Sequence, residues 1–112
     1  MKINSYMKDG IPTINPKDVM GLKDAILIDV RMHEEYIGEL GHIEGATLIT
    51  LGTELDNYMK TATKEANIIF ICRSGARSGR ASAAALELGF KNIYNMEGGM
   101  IEWNKMKLPT IS

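Results

Sequence analysis

The sequence predicts an α/β fold: a central parallel sheet of about five strands flanked by helices on both faces. Two short β-branched apolar runs and the helix-like segment that follows each of them carry that prediction, and the alternation continues to the end of the chain. AILIDV (25 to 30) and NIIFIC (67 to 72) are apolar on consecutive positions, as expected of strands covered on both faces.

In chain order, GIPTI near residue 12 reads as a strand, and Asn15 before Pro16 reads as an N-cap with proline at the first helical position of a short helix to about Met20. AILIDV is followed by RMHEEYIGEL, in which Met32, Tyr36 and Leu40 recur at helical spacing. ATLIT near residue 48 is a further strand, and TELDNYM (53 to 59) a helix with Leu55, Tyr58 and Met59 inward. After NIIFIC comes SGRASAAALELGF, where Ala81, Ala84, Ala85 and Leu88 form a narrow apolar stripe and Gly89 supplies the stop. NIYNM (92 to 96) is the last strand, and GGMIEWNKM (98 to 106) a glycine turn and a closing helix.

Composition limits the function classes. The chain of 112 residues is read as one domain, residues 1 to 112, with apolar residues at 45% and charged residues at 24%, close to the soluble average. Thirteen basic against fourteen acidic side chains give a formal charge of -1, which provides no long-range field for nucleic acid or an anionic membrane. Any anion site is therefore local. No apolar run approaches the roughly 18 residues of a membrane span, and MKINSYMKDG has no signal-peptide core, so a cytoplasmic protein is expected. The eight methionines are read as fillers of irregular core gaps.

The only cysteine, Cys72, stands at the junction of an apolar and an alanine-rich run, in IIFICRSGARSGRASAAA (68 to 85). One cysteine forms no internal disulfide, and with two histidines at unrelated positions it makes no structural zinc site. At the carboxyl end of a buried parallel strand, Cys72 falls where open α/β sheets bind ligands. The turn through Arg73, Ser74, Gly75, Ala76, Arg77 and Ser78 aims successive N–H groups into one concavity, and the following helix adds its positive end. Arg73, Arg77 or Arg80 supplies full charges. Such surroundings lower a thiol pKa from its usual value near ~8.5, so a thiolate forms without a histidine base.

CRSGAR resembles the six-residue active-site loop of the rhodanese (thiosulfate sulfurtransferase) family. LIDVRMHEEYIGELGHIEGATLI (27 to 49) is similar to that family's N-terminal signature and MEGGMIEW (96 to 103) to its C-terminal one, so the resemblance spans residues 11 to 108. It implies a five-stranded parallel sheet and a catalytic Cys72 that takes a sulfane sulfur from thiosulfate or a related donor as a persulfide and passes it to cyanide or a thiol. Loop N–H groups from Arg73 to Ser78 would bind the terminal sulfur, and Arg73 and Arg77 are the candidates for the donor's sulfonate. No metal and no cofactor beyond the covalent persulfide is implied. The expected partners are a small-molecule donor and a thiol acceptor, or a protein in either place, with no nucleic acid and no membrane, and the chain is expected to be a monomer or weak homodimer.

Neighbouring residues receive structural readings: an ion pair or cap for Asp29 and Arg31, a hydrogen-bonded turn for His42, the surface for His33, a core anchor for Trp103, the core edge for Tyr36 and Tyr58, and the site's rim for Glu97 and Gly98. Two other functions compete. A protein-to-protein persulfide carrier or sulfur sensor would use the same cysteine. A cysteine phosphatase or arsenate reductase needs an arginine six positions after the cysteine, to grip an oxyanion bidentately, and that position is Ser78.

Overall fold

The computed structural model describes residues 3–112. Its elements run β1 (Tyr6–Lys8), β2 (Ile11–Ile14), α1 (Pro16–Val19), β3 (Ile26–Asp29), α2 (His33–Tyr36), β4 (Thr47–Leu48), α3 (Thr53–Thr61), β5 (Asn67–Ile71), α4 (Ala76–Glu87), β6 (Asn92–Met96) and α5 (Gly99–Lys105). The strands form one six-stranded sheet in the order β1-β2-β6-β5-β3-β4. Pairings from β2 to β4 are all parallel, and β1 joins β2 antiparallel.

The sixth strand departs from the expected five. Lys8 pairs with Ile11, leaving Asp9 and Gly10 as a two-residue turn in which both residues have positive φ, 52° and 78°. That is the mirror-image turn whose twist suits a hairpin.

Period-two alternation along β5 divides the core between the two faces of the sheet. Ile68, Phe70 and Cys72 pack with Leu55 and Met59 of α3 and Ala81 and Ala85 of α4. Ile69 and Ile71 point the other way, toward Val19 of α1 and Met100 and Trp103 of α5. Helices thus cover both faces, as expected.

Some expected faces differ in detail. In α4 the buried positions are Ser78, Ala81, Ser82 and Ala85, while Ala84 is exposed and so is Leu88. The stripe follows i, i+3, i+4, i+7 and takes in two serines that a hydrophobicity pattern skips. Helix α2 is a single turn, and Met32 precedes it as an exposed N-cap. It ends early because the Glu35 carbonyl accepts from Gly38 N–H and from Arg31 Nη1. Among the methionines, Met59, Met96 and Met100 fill the core, whereas Met7, Met20, Met32 and Met106 are exposed; Met1 lies outside the described residues. No helix among the described residues is long and apolar enough to cross a membrane.

Asp29 and Arg31 form the expected ion pair, and both are fully buried. Arg31 Nε lies 2.9 Å from Asp29 Oδ1 and Nη2 lies 2.8 Å from Oδ2, the bidentate fork. Two further guanidinium N–H groups reach the carbonyls of Glu35 (3.2 Å) and Gly41 (2.8 Å). No buried side-chain polar atom lacks a partner among the described residues. Breaking such a pair on one side leaves a buried charge uncompensated. Arg31→Met should therefore cost about 3–5 kcal/mol, read as a lower urea midpoint, and Arg31→Lys should recover little because an ammonium cannot satisfy the same fork. A midpoint unchanged in Arg31→Met would contradict this account of the pair.

Candidate active site

All five parallel strands end at the same edge of the sheet. From β3 the chain moves outward to β4, whereas from β5 it moves the opposite way to β6. The crevice between β3 and β5 is thus a topological switch point, where open α/β sheets place their ligands. Cys72 stands one residue beyond β5 at that point.

The chain then makes a tight turn. Gly75 has φ of 103° and serves as the N-cap of α4, a conformation that disfavours any side chain. Helix α4 begins at Ala76, so Ala76, Arg77 and Ser78 form its first turn and not a loop. Their N–H groups have no intrahelical acceptors, since the first bond within the helix runs from Gly79 N–H to the Gly75 carbonyl.

Donors from the tight turn and from the start of α4 gather around one atom. Gly75 N–H lies 3.0 Å from Cys72 Sγ and the Ser78 hydroxyl 3.3 Å, and the N–H groups of Ser78 and Ser74 also favour its charged form. Burial pushes the thiol pKa up. The Ser78 hydroxyl, followed by the N–H groups of Ser78, Gly75 and Ser74, outweighs that effect, and the net shift is downward. The sequence-based expectation of an acidic thiol rested on arginines and the helix dipole, but the leading stabilising group is the hydroxyl of Ser78.

From below, α5 holds the turn. Met100 N–H donates to the Cys72 carbonyl (2.8 Å) and Ile101 N–H to the Arg73 carbonyl (3.0 Å). A Cβ on Gly99 would stand 2.5 Å from both carbonyl oxygens. The second glycine of the pair is thus a consequence of backbone meeting backbone, which is not legible from the rim position expected for Glu97 and Gly98. Both of those residues do line a cleft, of about 450 Å³, with Ser74, Gly75, Arg80 and Asn95.

The arginines divide. Arg77 is clamped by Glu35, Nη1 to Oε1 at 2.7 Å and Nη2 to Oε2 at 2.8 Å. Arg73 and Arg80 make no ion pair among the described residues and are exposed. Arg73 faces a second cleft, of about 200 Å³, lined with Arg31, Glu34, Glu35 and Leu40. Asn95 was not singled out from the sequence. Its Nδ2 donates to the Gly75 carbonyl at 3.1 Å, and its Oδ1 accepts from Ser78 Oγ.

His42 hydrogen-bonds through Nδ1 to the Tyr36 carbonyl at 2.9 Å and stacks on the Tyr36 ring, centroids 3.7 Å apart, as expected of a turn residue. Tyr36 and Tyr58 are half-buried and His33 is exposed. Trp103 is buried, with its indole N–H donating to the Pro109 carbonyl.

A cysteine cradled by N–H groups at the switch point of a parallel sheet defines a class of protein, and comparison with known proteins agrees with it. The chain belongs to the rhodanese-like domain family, whose model matches residues 16–106. Sulfur transfer is the general chemistry of that family. It is similar to a rhodanese-related protein from Thermoplasma volcanium, at 30% identity and a TM-score of 0.77 over 88% of this chain and 96% of that one. It is also similar to a NAD-dependent persulfide reductase from A. fulgidus, at 33% identity and a TM-score of 0.62, covering 81% of this chain and 15% of that one. A curated relative from Pectobacterium carotovorum subsp. carotovorum (strain PC1), named tRNA uridine(34) hydroxylase, is 37% identical over 92% of this chain. The chain spans 34% of that relative's length.

The Glu35 clamp has a pH signature. Hydrogen bonds from Arg77, reinforced by Met32 N–H and opposed by partial burial, bring the Glu35 pKa down from 4.5 to about 2. A carboxylate depressed in the folded state stabilises above its unfolded pKa and loses that contribution as pH falls through the folded one. Glu35→Gln should therefore remove part of the stability loss that the wild type shows between about pH 4.5 and 2, measured by urea titration at each pH. Parallel curves for the two proteins would mean that the pair does not form in solution.

Proposed function

We propose that the domain is a sulfurtransferase in which the Cys72 thiolate takes a sulfane sulfur from thiosulfate or a related donor and hands it to cyanide or a thiol. The convergence of the Gly75 N–H and the Ser78 hydroxyl on one sulfur, with the Ser78 and Ser74 N–H groups also favouring its charged form, carries this reading. Such a cradle favours an anionic sulfur before attack, and by extension the anionic outer sulfur of a persulfide after it.

The two half-reactions balance without a proton shuttle. The Sγ electron pair forms a bond to the outer sulfur of thiosulfate, the sulfur–sulfur bond of the donor breaks, and its pair leaves with sulfite. In discharge, the acceptor's pair bonds to the outer sulfur and the Cys72 bond breaks, returning its pair to Sγ. One negative charge moves between sulfur atoms in each step, so no histidine is required.

Of Arg73 and Arg77, Arg73 is the better candidate for the sulfonate, because Arg77 is engaged by Glu35 and Arg73 has no ion partner among the described residues. Phosphatase or arsenate reductase chemistry is disfavoured by Ser78, which is buried and bonded to Sγ where those enzymes need a guanidinium. A second reading draws on the 37% identical relative named tRNA uridine(34) hydroxylase: the domain serves a tRNA-modifying activity, with Cys72 passing its sulfur to a protein or acting beside one. The formal charge of -1 supplies little affinity for tRNA by itself.

Intact-protein mass spectrometry before and after thiosulfate, with a cyanide chase, tests the proposal. One added sulfur on the wild type, removed with release of thiocyanate and absent in a folded Cys72→Ala, is the expected result. Loading from polysulfide or a persulfidated protein but not from thiosulfate would favour the carrier reading, and loading from no donor would overturn both. Arg73→Ala should raise the KM for thiosulfate about tenfold and leave that for an uncharged polysulfide nearly unchanged; equal effects on the two donors would remove the sulfonate role.

A further inference from the structure

Two acceptors meet at one hydroxyl. Ser78 is fully buried, and its Oγ lies 3.3 Å from Cys72 Sγ and within hydrogen-bonding reach of Asn95 Oδ1. A serine hydroxyl has a single proton to donate. The amide of Asn95 is oriented by its other end, because Nδ2 donates to the Gly75 carbonyl and the flipped amide would set two acceptors against each other. Oδ1, which can only accept, therefore faces Ser78. A carbonyl oxygen and an anionic sulfur compete for the same proton.

Which of them receives it depends on the charge at Sγ. An anionic sulfur is the stronger acceptor, since a hydrogen bond to a charged group outweighs a neutral one. A neutral sulfur, whether a thiol or the inner atom of a persulfide, is a weak acceptor. Without Asn95, the buried hydroxyl would then be left with no good acceptor, and an unsatisfied buried donor is costly.

We propose that Asn95 is a positioning residue that acts through Ser78, holding the hydroxyl while Sγ is neutral and yielding it whenever Sγ carries the negative charge. The hydroxyl rotates about its C–O bond and its proton stays on Oγ, so no covalent step is added to the reaction. The extension to the persulfide rests on the sulfurtransferase reading; the exchange between thiol and thiolate does not. By supporting the neutral sulfur, Asn95 opposes ionisation of Cys72, and Ser78 favours it.

Alkylation of Cys72 by iodoacetamide as a function of pH tests this without any sulfur donor, so the outcome is independent of whether the domain transfers sulfur. Asp29 at the end of β3 and Arg31 beyond it, Glu35 on α2, Arg73 in the turn, Arg77 and Arg80 on α4, Lys8 on β1, Asp9 in the hairpin turn, Glu97 after β6 and Glu102 on α5 are charged groups of the elements packed around the site and are common to every variant. At about one pH unit below the wild-type midpoint, Asn95→Ala should be alkylated about threefold faster and Ser78→Ala about threefold more slowly. In a Ser78→Ala background the Asn95 substitution should have no effect. Slower alkylation of Asn95→Ala, or the same change with and without Ser78, would show that Asn95 only braces the turn through Gly75 and would overturn the proposal. If circular dichroism shows Asn95→Ala unfolded, Asn95→Asp keeps the shape and strengthens the acceptor toward Ser78, while its second oxygen gives up the bond to the Gly75 carbonyl with or without Ser78. It should slow alkylation more when Ser78 is present than when it is absent, and equal slowing would sink the idea.

Discussion

The buried pair of Asp29 and Arg31 fixes the frame on which the site is assembled. Asp29 ends β3 beside the last residue of β5, and the Arg31 guanidinium it holds takes up the carbonyls of Glu35 and Gly41. Those two bonds bring the single turn of α2 against the sheet. Glu35 projects its carboxylate from that turn to Arg77 on α4, so the helix whose N-terminus faces the sulfur is tied back to β3 through two successive ion pairs. Desolvating such charges is costly, and the bidentate pair together with the two carbonyl bonds is what makes the arrangement tolerable. It gives α2 and α4 one defined relative position, where packing by small residues alone would permit several.

The turn itself is held from three sides. Ile71, by its place in the sheet, sets the point of departure; the first N–H groups of α5 grip the Cys72 and Arg73 carbonyls from below; and Asn95, reaching from β6, fastens the Gly75 carbonyl. The turn so held presents the Gly75 N–H to the sulfur. Anion affinity at Sγ is therefore produced by neutral donors, the Ser78 hydroxyl first and backbone N–H groups after it, with side-chain charge in a supporting place. A chain of nearly balanced overall charge can hold a thiolate for that reason.

Much of this was legible in the sequence. The consecutive apolar positions of NIIFIC placed β5 and its cysteine, and the glycine after Arg73 and Ser74 marked the turn, because both signals depend on local backbone chemistry. Features that depend on distant partners were less visible. The sequence shows Arg73 and Arg77 as equals, and only the fold puts Glu35 across from one of them. Asn95 sits in an ordinary strand pattern, and its role comes from the neighbour that α4 presents to it. Ser78 and Ser82 lie on a buried helical face that a search for apolar residues passes over. The Asp-Gly pair at residues 9 and 10 was a readable hairpin signal that the five-strand expectation left unused.

That hairpin bears on where the folding unit can be cut. The family match begins at residue 16, after both hairpin strands. Yet Ile14 of β2 is wholly buried, β2 pairs along β6, and Lys8 and the Tyr6 hydroxyl both bond to Glu97 next to the Gly-Gly turn. A fragment trimmed to the family boundary would bare the β6 edge as a template for pairing with other chains and would release the support of the turn beneath Cys72. An expression boundary for this fold therefore belongs before Tyr6, and a fusion partner placed there should be separated from β1 by a linker.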